Sequence, residues 1–217
     1  FELEQSYSIY QFYHAKLKEC DAKIEEHLRE KSGVDTFVEP QKKEKSNKNN
    51  LNFNGKEMLY ELTGTDLAEI FGITETNAIE IISEVGLDMS KWPTVKHFTS
   101  WLNLAPNNKI SGGKVLSSRI PKKKNHAGQI FRMAAFAIQR SKNWLAMFYN
   151  RIKAKNGAPK AIVATARKIA AIFYKMIKER VKFNPIPIEK YMDGFKENQI
   201  KKLKRQAKNL GLQIVEM

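Results

Sequence analysis

Three observations predict a mainly α fold for this chain. Apolar residues recur at helical spacing in an N-terminal stretch and again through two long segments between about Ala127 and Val181. Gly and Pro fall where helices stop and restart. Strand-like sequence is confined to a Ser-Gly-Gly segment, read as loop or short strand, and to Gly211-Leu-Gln-Ile-Val.

The first helix is expected from residue 2 to about 30. Leu3, Tyr10, Leu17 and Ile24 repeat every seven residues, with Tyr13 and Cys20 on the same stripe and the polar Ser6 and His27 interrupting it. Two readings fit: a coiled-coil arm over 1–39, or an amphipathic helix that packs on its own domain. Residues 40–54, rich in Asn, Lys and Ser, read as a linker, because they carry too little apolar surface to order themselves. A domain over 55–182 follows, then a basic tail over 183–217 that contains a helix near Phe195–Asn209.

Within the central domain, Thr65 is the expected N-cap of a short helix through Ile70. Phe71-Gly72-Ile73-Thr74 turns the chain, and a helix with Ala78, Ile81, Ile82 and Val85 on one face stops at Gly86. The arrangement resembles a helix-hairpin-helix, with Thr74 in place of the usual second glycine. It admits either a phosphate site at the turn or plain helix packing. A helix after Trp92-Pro93-Thr94 presents Phe98, Trp101 and Leu102. Pro106, Gly112, Gly113 and Pro121 then exclude helix. One long helix is expected from Ala127 to Lys155. Asn156-Gly157-Ala158-Pro159 ends it and starts the next, which runs to about Val181, and so short a loop makes the pair antiparallel. Of the aromatic residues Phe131, Phe136, Trp144, Phe148 and Tyr149, most are assigned to core packing rather than base stacking.

The net charge is +15, and it is segregated. Residues 1–40 and 51–100 are net acidic, whereas 101–217 carry 26 basic and 5 acidic groups. From Met89 to Lys178 there is no Asp or Glu, against 19 Lys and Arg. A long cationic surface with no carboxylate to neutralise it is suited to a polyphosphate, and nucleic acid is the natural partner. Cys20 is the sole cysteine, so the chain has neither an internal disulfide nor a Cys-rich zinc site, in keeping with a cytoplasmic setting. No apolar run approaches the length of a membrane span.

Ser111 is the candidate nucleophile. Gly112 and Gly113 let the backbone approach a phosphate closely. Lys109, Lys114, Arg119 and Lys122 to Lys124 can neutralise a phosphorane. Taken alone, Ser-Gly-Gly-Lys points no further than a turn, which is what most such segments are. The segment is not a P-loop, because Asn108 replaces the first glycine and Val115 follows Lys114. Nor is it a hydrolase elbow, because Lys109 and Ile110 precede the serine. The four histidines are scattered, which leaves His126 as a candidate proton acceptor.

These residues together resemble one family. The order Ile-Phe-Gly-Ile-Thr, Ile-Ile-Ser-Glu-Val-Gly, Phe-Thr-Ser-Trp-Leu-Asn-Leu-Ala-Pro-Asn-Asn-Lys-Ile-Ser-Gly-Gly-Lys, Arg-Met-Ala-Ala and Gly-Ala-Pro-Lys-Ala is similar to the C-terminal transposase domain of the insertion-sequence one-hundred-and-ten family, the bridge-RNA-guided serine recombinases. The likeness spans about residues 60–180. It implies DNA and a structured guide RNA as partners, a dimer or tetramer, and Ser111 as a nucleophile that becomes joined to DNA phosphate. It implies Gly112, Gly113 and Lys114 as the segment following the nucleophile, and Arg119, Lys123, Asn125 and Arg132 as phosphate or RNA contacts. It also implies an N-terminal RuvC-like domain, expected to precede Phe1 and to bind Mg²⁺, and no cofactor in the present residues. The family often has Gly-Asn-Arg where this chain has Lys124-Asn125-His126. A binding module without chemistry remains the alternative.

Overall fold

Helical periodicity is realised as eight α-helices and one two-stranded hairpin in a computed structural model that describes residues 1–32, 51, 53–120 and 125–212. The first helix, α1 (Glu2–Ser32), is a single rod, with Glu2 and Glu4 at its N-terminus and Arg29 and Lys31 at its C-terminus, which complements the helix dipole. Its heptad stripe stays in solvent: Tyr13 and Leu17 are each more than 60% exposed. Only its C-terminal part, at Asp21, Glu25 and Leu28, is partly covered, and it lies against α2.

Of residues 40–54, only 51, 53 and 54 are described. Phe53 is buried, and the Asn54 side chain accepts from the Glu57 amide to cap α2 (Gly55–Thr63). The helix expected from Thr65 to Ile70 is instead a single 3-10 turn, Leu67–Glu69. Its cap is Asp66, which accepts from the Ala68 amide at 3.1 Å. The Thr65 hydroxyl donates to the Val181 carbonyl 3.0 Å away, a tertiary tie that removes it from capping. Helix α3 (Glu75–Val85) matches expectation, capped by Thr74 and closed by Gly86.

Gly72 turns the chain with φ +85°, and a Cβ there would lie 2.7 Å from both the Ala134 carbonyl oxygen and Ile138 Cγ2. The turn therefore packs closely on the helix that carries Ala134. Helix α4 (Val95–Trp101) buries Phe98 and leaves Trp101 partly exposed. The Thr94 hydroxyl hydrogen-bonds His97 Nδ1 at 2.9 Å, which gives that histidine a local structural partner.

The long helix expected from Ala127 to Lys155 is broken. Helix α5 (His126–Ala137) passes into a 3-10 turn and stops at Ser141. Asn143 then starts α6 (Trp144–Asn156) by accepting from the Ala146 amide at 2.9 Å. Ser141-Lys142-Asn143 is a stop and cap that the continuous apolar stripe conceals. Gly157, with φ +84°, joins α6 to α7 (Ala158–Glu179). Lys168 reaches Phe148 and Trp144. Residues about equally far from Gly157 thus meet, as an antiparallel pair requires.

Helix α7 is the central post. Fully buried Ala161, Ala166 and Ala170 let α5 and α6 approach, while Phe173 packs edge-on against Phe131 at 5.4 Å. The Tyr174 hydroxyl donates to the Trp92 carbonyl at 2.7 Å and pins the turn before α4. Helix α8 (Ile188–Asn209) starts one to two turns before the expected Phe195, because Pro187 leads directly into it. Its first turns lie on α6 through Tyr191 and Trp144. Of the strand suggested at 211–215, residues 213–215 lie outside the described set.

Candidate active site and nucleic-acid interface

Ser111 sits at the tip of a solvent-exposed β-hairpin. Strand β1 (Lys109–Ser111) pairs antiparallel with β2 (Lys114–Ser117), with Ser111 opposite Lys114, Ile110 opposite Val115 and Lys109 opposite Ser117. Gly112 and Gly113 form the two-residue turn, with φ +54° and +74°. Two successive positive φ values match the mirror-image type I′ turn, whose twist suits a hairpin and which L residues with a side chain resist. Both glycines face open space, so their requirement is conformational rather than steric. The Asn107 amide donates to the Arg119 carbonyl at 3.1 Å and extends the ladder to the hairpin base.

Strand alternation gives the hairpin two unlike faces. Ser111 and Lys114, as cross-strand neighbours, share one of them. Ile110 and Val115 share the other, and both are exposed, as is Leu116 at the irregularity between the two strands. A hairpin with this little covering is marginal by itself in water. Among the described residues, nothing hydrogen-bonds the Ser111 hydroxyl.

The remaining sequence candidates separate into two groups. Lys109, Lys114 and Arg119 are exposed on or beside the hairpin with Ser111, Gly112 and Gly113. Asn125 and Arg132 are engaged in holding the fold. Asn125 caps α5 by accepting from the Gly128 amide at 2.7 Å and donates to the Trp101 carbonyl at 3.1 Å. Arg132 donates to the Asn103 carbonyl at 2.8 Å, and burial lowers its pKa from the ordinary guanidinium value. Lys123 lies outside the described residues, as do Lys122 and Lys124. His126 Nδ1 is 3.6 Å from a Glu84 carboxylate oxygen, which gives it an acidic partner on α3.

A second cationic feature lies on α6 and α7. Arg151 stacks over Phe148, Tyr191 and Phe195, at 5.3, 5.6 and 5.0 Å from the ring centroids. Lys168 sits 4.8 Å from the Phe148 centroid. Burial, and secondarily repulsion from Arg151, lowers the Lys168 pKa. Together with Lys160 and Arg167 these side chains make a ridge that motif reasoning missed. The signal was present as helical spacing, since Lys160, Arg167 and Lys168 fall seven and eight residues apart along α7.

Among the described residues, no three of His, Cys, Asp and Glu gather into a set that could hold a metal ion. Among the same residues, no helix is long and apolar enough to cross a membrane.

Residues 64–150 match the Transposase IS116/IS110/IS902 family, a span that includes α3, α4, the hairpin, α5 and the first half of α6. No curated protein matches the chain.

Proposed function

We propose that this chain, whose residues 64–150 match the IS116/IS110/IS902 transposase family, cleaves and exchanges DNA strands through Ser111. The observation that supports this reading best is the pairing of Ser111 with Lys114 across the Gly112–Gly113 turn, at the tip of an exposed hairpin in a segment without acids. The Ser111 oxygen loses its proton and bonds to the phosphorus of a DNA phosphodiester. A deoxyribose oxygen leaves that phosphorus and takes up a proton. The product is a serine–phosphate ester that stores the phosphodiester bond for rejoining. Lys114 and Lys109 offset the charge that builds on the phosphoryl oxygens. Removing one such donor typically costs about 10²- to 10³-fold in rate.

The proton acceptor is supplied from beyond the described neighbours of Ser111. Such a site is completed on assembly with DNA, with a second copy of the chain or with a RuvC-like domain. No step here is assigned to a metal. A structured guide RNA selects the DNA, and the basic surface contacts both nucleic acids. The apolar stripe of α1 joins two copies, because its heptad repeat is exposed along the helix. The reaction takes place on DNA in the cytoplasm.

A second reading is favoured by one observation, the bare surroundings of the Ser111 hydroxyl: the domain grips nucleic acid and performs no chemistry. The test uses the full-length protein that contains these residues, its element's RNA, Mg²⁺ and end-labelled DNA, resolved on a denaturing gel. A covalent protein–DNA band that disappears in Ser111→Ala, with DNA binding retained, supports the nucleophile. An undiminished band in Ser111→Ala places the chemistry on another residue. Binding without a band in either protein supports the binding module.

A further inference from the structure

A cleft of about 670 Å³ opens between the stem of the hairpin and the seam of α6 and α7. Pro106, Ser118 and Ile120 line it from the hairpin stem, and Ile152, Val163 and Ala164 from α6 and α7. Lys160, Arg167 and Lys168 edge it. It lies inside the stretch from Met89 to Lys178, so no carboxylate lines it. Among the described residues neither Lys160 nor Arg167 makes an ion pair. Lys160 is exposed and Arg167 half-exposed.

A lining that combines apolar side chains with three cations suits a ligand that is flat and apolar at one end and anionic at the other. A nucleotide has that form. The volume is that of a small-molecule site, roughly 300–1,000 Å³, and therefore admits an unpaired nucleotide but no duplex. One wall is the stem of the hairpin that carries Ser111. From Pro106 to Ser111 an extended chain reaches about 17 Å, or on the order of five stacked nucleotides along one strand.

We propose that this cleft holds one unpaired nucleotide of the DNA strand that leads to the Ser111 hairpin, with its base on Val163 and Ala164 and its phosphate between Lys160 and Arg167. The assignment rests on the DNA-strand reading above but does not require that Ser111 react. The cleft anchors a strand that has left its complement and keeps it in register with the hairpin tip. Lys168, held over Phe148 and Trp144, adds charge behind the rim.

The test uses the 217-residue chain and a 12-nucleotide single-stranded DNA with 2-aminopurine placed at successive positions, beside a blunt duplex of equal length. One position is expected to change fluorescence on binding. Ala164→Trp, which fills the cleft and keeps its charge, should abolish that change and weaken single-strand binding about tenfold, leaving duplex affinity as it was. Arg167→Ala should weaken the single strand similarly, and Ser111→Ala should leave the signal intact. Wild-type behaviour in both cleft variants overturns the proposal while leaving the DNA reading standing. Tighter binding of the matching RNA, lost in the same variants, overturns the assignment to DNA, and equal displacement by polyglutamate overturns that to a nucleotide. A chain that binds neither form of DNA overturns this proposal together with the function beneath it.

Discussion

Lys114 stands directly opposite Ser111 across the Gly112–Gly113 turn, on the same face of the hairpin. The pairing sets a cation beside the hydroxyl by backbone register alone, without a hydrogen bond to hold it. Lys114→Gln removes the charge and keeps most of the length. It is expected to lower the rate of covalent protein–DNA formation about 100-fold, with only a modest loss of DNA affinity. Single-turnover gels with matched binding assays separate the two effects. Equal losses in rate and affinity would make Lys114 a binding residue only.

Gly113 is needed for its φ of +74°, because a Cβ at that position meets nothing. Gly113→Val imposes a local cost of about 1–2 kcal/mol on the turn. The hairpin is exposed and marginal by itself, so the melting temperature of the whole chain should barely move while adduct formation falls at least tenfold. Calorimetry and the gel assay together check this. A large drop in melting temperature would mean that the hairpin supports the core.

Gly128 shows the opposite dependence. A Cβ there would lie 2.2 Å from the Leu102 carbonyl oxygen, because α5 abuts the turn that ends α4. Gly128→Ala must push these backbones apart, at a cost of about 3 kcal/mol. A melting temperature lower by roughly 10 °C is expected by calorimetry. An unchanged value would show that α5 and α4 have room to separate.

Lys168 has a pKa below the ordinary lysine value of 10.5, through burial and then through Arg151. Between its folded pKa and 10.5 the unfolded chain binds more protons at this residue than the folded one. Stability therefore gains a contribution as pH rises through that window. Below the folded pKa both states are charged and the burial penalty is fully present. Lys168→Met should remove this contribution, so urea unfolding of wild type and variant at pH 8 to 10.5 should converge as pH increases. Parallel curves would leave Lys168 without a shifted proton equilibrium.

Leu17 is 62% exposed on the α1 heptad stripe with Tyr10 and Ile24. Leu17→Asp places a charge on that seam and is expected to convert a dimer or larger species into a monomer by sedimentation velocity, without altering the melting of the central domain. Identical sedimentation of the two proteins would remove α1 from the assembly.

Much of this molecule is legible along the chain. The seven-residue repeat gave α1, Thr74 and Gly86 bounded α3, and Gly157-Ala158-Pro159 marked the α6–α7 joint, because caps and periodicity are local properties of neighbouring residues. The candidate nucleophile was likewise local, since serine, two glycines and lysine are consecutive. The break at Asn143 was hidden by a stripe that continues on both sides of it. Thr65 lost its expected capping role to a carbonyl 116 residues away, and Asp66 took the local cap. Tertiary packing also decided that the Gly72 turn closes on α5 and that Asn125 and Arg132 tie α5 to the end of α4. The cleft beside the hairpin could not be read from the chain, because its walls come from three segments that only folding brings together. Composition and spacing thus determined the helices, the charge and the candidate segment around Ser111. Which candidate polar groups also hold the fold was decided by packing, since a backbone group drawn out of water must find a hydrogen-bond partner within the protein.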